Sequence, residues 1–182
     1  MRALLLLLTL LLSGCAVKTW TLEGPSDLSN GLTVRVEMNR WKYYPSDLDR
    51  YVLPIYIEIE NRGSQTVKVA REDVFLIDEK GNQYNPVEPR DVISMLGRDY
   101  RMGIGLGFGY WSSPFGLWWS PYYTFPRNES YPDIVNRAFI FGEVQGGARL
   151  RGFVYFPEIP RDINKLTLNV KGYKFRLKAK ED

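Results

Sequence analysis

One thiol, no imidazole and a few paired carboxylates are the chemistry-bearing residues of this chain. Cys15 is the single cysteine, so no intrachain disulfide, CxxC redox pair or thiolate zinc site can form. Histidine is absent, which removes the commonest general base and the commonest metal ligand together. Acid pairs occur at Glu72-Asp73, Asp78-Glu79 and Glu181-Asp182. Two carboxylates held close together can do acid–base work or bind calcium. Here they fall at strand ends and turns, the ligand spacing of a calcium loop is missing, and they read as solvated surface. A serine nucleophile would have to use Lys or a carboxylate as its base, and neither a GxSxG nor an SxxK motif is present. Asn128-Glu129-Ser130 fits a glycosylation sequon and reads as chance. The residues predict no enzyme, no metal site and no cofactor.

A different kind of chemistry lies between Gly103 and Pro126, "GIGLGFGYWSSPFGLWWSPYYTFP". This run has nine aromatic rings, five glycines, three prolines and no charge. Its glycines follow G-x-G-x-G-x-G with no βαβ unit after them, so it is not a dinucleotide fingerprint. Alternation puts Ile104, Leu106, Phe108 and Tyr110 on one face and bare backbone on the other. Each glycine weakens strand order by roughly 0.5–1 kcal/mol relative to Ala, so the run needs something to cover it. It could fold over its own core, meet a partner, or touch lipid. Trp and Tyr dominate protein interface hot spots and also favour the membrane interface. The candidate contact residues are Phe108, Tyr110, Trp111, Phe115, Trp118, Trp119, Tyr122 and Tyr123. The glycines and prolines, with the length, exclude a transmembrane helix.

The N-terminus, "MRALLLLLTLLLSGC", has an early positive charge at Arg2, an apolar run from Ala3 to Leu12, then small residues, which is the layout of a secretory signal. The run is too short to span a bilayer, which needs roughly 20 apolar residues. Leu12-Ser13-Gly14-Cys15 resembles the bacterial lipobox. That resemblance implies cleavage before Cys15, lipidation of Cys15, and membrane attachment through acyl chains, each buried methylene contributing about 0.8 kcal/mol. Ala16 follows, where an aspartate would imply retention at the inner membrane of a Gram-negative cell. The resemblance thus implies the outer membrane, facing the periplasm. The chain divides into a signal peptide (1–14), a lipid-anchored tether (15–30) and a folded domain (31–182) containing an insertion (85–134). Fully extended, 16–30 would reach roughly 50 Å.

What positions these residues is a mostly β domain. The composition is globular, with 45% hydrophobic and 25% charged residues. The net charge of +3 comes from interspersed Lys and Arg and predicts no nucleic-acid partner. "LTVRVEM" and "LPIYIEIEN" alternate strictly: Leu32, Val34, Val36 and Met38 face inward, as do Leu53, Ile55, Ile57 and Ile59, with Tyr56, Glu58 and Glu60 outward. Pro54 marks an edge or bulge, since it cannot donate to a ladder. "QTVKVA", "DVFLID", "NRAFIFGEV", "RLRGFVYFP", "KLTLNV" and "YKFRLK" continue the pattern, with a hairpin-like turn at Gly81-Asn82. The stretch "PRDVISMLGRDYRM" is the one helix expected, with Asp91 as its cap and Val92, Met95 and Leu96 on one face.

Seven to eight short strands, turn signals between them and at most one short helix predict an all-β immunoglobulin-like β-sandwich. "YIEIENRGSQTVKVAREDVFLIDEKGNQY" and "GEVQGGARLRGFVYFP" resemble the two halves of the telokin-like, immunoglobulin-fold modules found in bacterial lipoproteins. The resemblance covers residues 51–84 and 142–170. It implies a fold rather than an activity. The function expected is a lipid-anchored, non-enzymatic binding or scaffolding module of the cell envelope. Its partners would be the membrane, through the anchor, and an envelope protein, through the aromatic-glycine run. The alternative is a structural outer-membrane lipoprotein whose run contacts lipid.

Overall fold

The computed structural model describes residues 18–96 and 131–180. The chain forms β1 (Trp20–Glu23), β2 (Asp27–Asn30), β3 (Leu32–Glu37), β4 (Val52–Asn61), β5 (Val67–Val69), β6 (Val74–Asp78), β7 (Gln83–Tyr84), α1 (Pro89–Leu96), α2 (Pro132–Asn136), β8 (Gly142–Val144), β9 (Arg149–Pro157), β10 (Lys165–Val170) and β11 (Tyr173–Ala179). It is a mostly β protein with antiparallel sheets. A five-stranded sheet runs β1-β11-β10-β6-β7, a four-stranded sheet runs β2-β3-β4-β9, and β5 pairs with β8.

One face of each large sheet contributes to a single buried cluster. Val34, Val36, Ile55, Ile57, Ile59 and Phe156 come from the four-stranded sheet, and Trp20, Leu76, Leu168, Phe175 and Leu177 from the five-stranded one. Fully burying one such aliphatic side chain contributes roughly 1.5–3 kcal/mol, more than the ~1 kcal/mol span of strand propensities. Register therefore follows the alternation: a one-residue slip of β4 would turn Ile55, Ile57 and Ile59 outward together. Pro54 lies beyond the end of β3, where β4 is paired with β9 alone, as expected of a residue that cannot donate.

Several expectations need correction. Among the described residues there are eleven strands rather than seven to eight, and two α-helices rather than one short helix at most. The tether read over 15–30 contains β1 and β2: Trp20 pairs with Ala179 and is 2% exposed, and Leu28 pairs with Val34. Four-residue strands are too short to show a period, and they form only because β11 and β3 supply partners. The second helix opens on Pro132, pre-set for the first helical position, with Asp133 beside it in the first turn. It is too short to be stable alone, and the buried Ile134 holds it down. In α1, Asp91 sits in the first turn rather than at the cap, because the carbonyl of Glu88 already accepts from the N–H groups of Asp91 and Val92. Val92 and Leu96 are buried as expected, and Met95 is exposed.

Tyr56, expected to face outward to solvent, does face away from the main core but is 7% exposed. The outer faces of β4 and β9 are covered at one end by a second buried cluster: Leu48, Val52, Tyr56, Val92, Leu96, Ile134, Phe153 and Tyr155. The free edge of β9 is closed too. Val87 donates its N–H to the carbonyl of Tyr155 at 2.7 Å, and Phe139 donates to that of Phe153 at 2.8 Å. An edge closed this way is not open to pairing with another chain.

Candidate functional site

The second cluster holds the described residues that flank the aromatic-glycine segment in the chain. Leu96, the last residue of α1, is buried in it, and Tyr131, just ahead of α2, packs against it. The two helices lie against each other. Both ends of the intervening chain are thus held at one place on the outer face of the four-stranded sheet.

That place is built of rings. The loop between β3 and β4 carries Arg40-Trp41-Lys42-Tyr43-Tyr44-Pro45 across the sheet. Phe153 is central: the rings of Trp41, Tyr56 and Tyr43 stand edge-on to it at 5.0, 5.4 and 6.0 Å between centroids. Edge-on pairs at this separation each add ~0.5–1.5 kcal/mol beyond burial. The polar tips are satisfied. Trp41 Nε1 donates to the carbonyl of Pro45 at 2.7 Å, and the Tyr155 hydroxyl donates to the carbonyl of Ile134 at 2.9 Å. Burial, and then the nearby Asp133 carboxylate, push the Tyr155 phenol up. It stays protonated and donates; it is no base.

Two guanidinium groups lie over the rim. Arg137 sits 3.5 Å over the ring of Tyr43 while its Nε donates to Asp133 at 3.0 Å, and Arg40 sits 3.7 Å over Tyr56 while pairing with Glu37 at 2.8 Å. Tyr44 stacks on Tyr131 with centroids 5.6 Å apart and an interplanar angle of 16°. Tyr44 is 53% exposed, so the platform ends in an accessible ring. Rings and cations in this arrangement can bind planar or aromatic groups; they hold no nucleophile next to a base.

The contact residues expected from sequence, Phe108, Tyr110, Trp111, Phe115, Trp118, Trp119, Tyr122 and Tyr123, lie outside the described residues, as does Cys15. So do Glu181 and Asp182. The other acid pairs have structural partners. Asp73 accepts from the backbone of Ala70 at 2.8 Å and from Lys171 at 2.9 Å. Asp78 accepts from Asn82, Lys80 and Tyr84. Glu79 accepts from the backbone of Asn164. Among the described residues no group of His, Cys, Asp or Glu is placed to hold a metal, and no helix is long and apolar enough to cross a membrane.

The platform was not legible in the sequence. The aromatic density of residues 41–44 next to Pro45 was its signal, but the rings it meets at Phe153 and Tyr155 come from a strand far along the chain.

No family model matches the chain, and no curated protein matches it. The crystal structure of a conserved hypothetical protein from Bacillus anthracis is similar over 87% of this chain and 96% of that one, with 14% identity and a TM-score of 0.42.

Proposed function

We propose that this chain is a cell-envelope lipoprotein, anchored through acylated Cys15, whose domain is an immunoglobulin-like β-sandwich acting as a non-enzymatic binding or scaffolding module. Two antiparallel sheets sharing one buried cluster support the sandwich assignment. The lipobox Leu12-Ser13-Gly14-Cys15 supports the anchor, and Ala16 supports the outer membrane, facing the periplasm. The contact surface is the run from Gly103 to Pro126. One observation carries this assignment: Leu96 and Tyr131, on either side of that segment, pack into the same ring-rich cluster. The described residues flanking the segment thus share one fixed spot on the scaffold, which is where binding loops are commonly attached.

The experiment is photo-crosslinking from position 118 of the lipidated protein in living cells. A discrete adduct with an envelope protein is the expected result. Adducts with phospholipid alone would favour the second reading, in which the run touches the membrane. The uncharged composition of Gly103–Pro126 is what speaks for that reading. Globomycin tests the anchor separately: unprocessed precursor should accumulate, and its absence would contradict lipidation at Cys15.

A further inference from the structure

The two sheets treat charge differently on their outer faces. On the four-stranded sheet, away from the rings, cations and acids are matched. Arg149 reaches Glu58 at 3.2 Å and Glu60 at 3.5 Å, and Arg35 pairs with Asp27 at 2.8 Å. On the five-stranded sheet, alternation turns Lys174, Arg176 and Lys178 of β11 and Lys165 of β10 outward, all exposed. Among the described residues none of these four makes an ion pair. Lys165 stands directly opposite Lys178 in the ladder, an arrangement of like charges that destabilises a sheet. Glu23, opposite Arg176, is the one acid in the adjoining rows of β1, β11 and β10. The next strand carries the half-buried Phe75 and the exposed Ile77 on the same face. A multi-strand array of cations bordered by apolar side chains matches an extended anionic surface rather than a single anionic chain.

We propose that this face docks on an anionic phospholipid surface. Charge complementarity is the first argument, and the route of the chain is the second. β1 is an edge strand of this sheet, and Thr21 pairs with Lys178. From Cys15 to Trp20 an extended chain reaches at most about 18 Å. This placement rests on the lipid-anchored reading of Cys15. It keeps the basic face against the headgroups. The ring platform lies on the outer face of the other large sheet, away from this basic face.

The test is amine acylation of the full chain, read lysine by lysine by mass spectrometry, with vesicles of phosphatidylcholine alone or mixed with phosphatidylglycerol. Lys165, Lys174 and Lys178 should be protected several-fold in the phosphatidylglycerol vesicles and regain reactivity in high salt, while Lys42 and Lys68 label equally in both. Replacing Lys174, Arg176 and Lys178 together by Gln should weaken the phosphatidylglycerol-dependent binding by roughly a hundredfold, at about fivefold per basic residue. These side chains are exposed, and an unchanged melting curve checks the fold. Equal labelling in the two lipids would overturn the proposal. So would stronger protection by a soluble polyanion, such as an oligonucleotide, at the same ionic strength. The phosphatidylcholine arm absorbs whatever the leader or an acyl chain contributes. A failed anchor changes binding in both lipids, whereas a failed basic face changes only the anionic arm.

Discussion

Asp78 ends β6 inside a turn whose donors converge on its carboxylate. Burial works against its charge, but the side chain and backbone N–H of Asn82, the Tyr84 hydroxyl and the Lys80 backbone outweigh it. They hold the group at about 2, below the ordinary 3.8. The unfolded chain therefore takes up the proton first as pH falls. The stability this carboxylate contributes is full above about pH 4, is lost as the pH drops toward about 2, and is absent below. Asp78→Asn should lower the urea midpoint at neutral pH, and the gap from wild type should close between about pH 4 and pH 2. A gap that stays constant across that window would contradict the assignment. The turn itself was legible in Gly81-Asn82, and Gly81 has the φ of +86° that glycine supplies. The convergence of donors on Asp78 was not, because an Asp-Glu pair reads the same whether solvated or buried. Asn61 is similar: the sequence showed an Asn ending a strand. The structure shows its amide donating to the carbonyls of Gln65 and Val144 and accepting from Gly63, so it ties two turns together.

At the scale of elements, the chain leaving α2 bridges the edge of β9 in parallel, Ala138 beside Phe153, and passes close to Gly152. A Cβ there would lie 2.6 Å from the backbone N of Phe139 and 2.7 Å from the carbonyl of Ala138. Both are backbone atoms and cannot swing aside. Gly152→Ala should cost on the order of 1–3 kcal/mol, as overpacking does, seen as a lower urea midpoint; an unchanged midpoint would contradict the close approach. Phe153, one residue on and facing the other way, is ringed by Trp41, Tyr43 and Tyr56. Phe153→Ala should cost about 3–5 kcal/mol, measured by the same unfolding curves. A loss well under 1 kcal/mol would mean the platform does not pack as a unit. The strands themselves were legible wherever alternation ran for six residues or more, as in β3 and β10. They were illegible in β1, β2 and β7, which are too short to show a period: β1 is held by the distant β11, while β2 and β7 are the short arms of tight hairpins with β3 and β6. Alternation also masked the double burial of β4 and β9, since Tyr56 and Tyr155 occupy positions that a one-sided sheet would leave wet.

For the whole molecule, the proposed arrangement has three regions: an acylated anchor at Cys15, a β-domain, and the aromatic run as contact surface between α1 and α2. The helices flanking the run could be located only from the structure, because nothing in residues 85–134 says where on the domain α1 and α2 lie. The run's uncharged, ring-rich character was plain in the sequence and remains the strongest pointer to its role. Its contact with a partner and its folding over the domain's own core make opposite demands on stability. The direct measurement is thermal melting of the full chain lacking 103–126, alongside envelope crosslinking of the same variant. The domain should keep a cooperative melt, because the described residues on either side of the run already bury two clusters among themselves, while the protein adduct disappears. Loss of the cooperative melt, or an adduct that survives the deletion, would contradict the run's role as the contact surface.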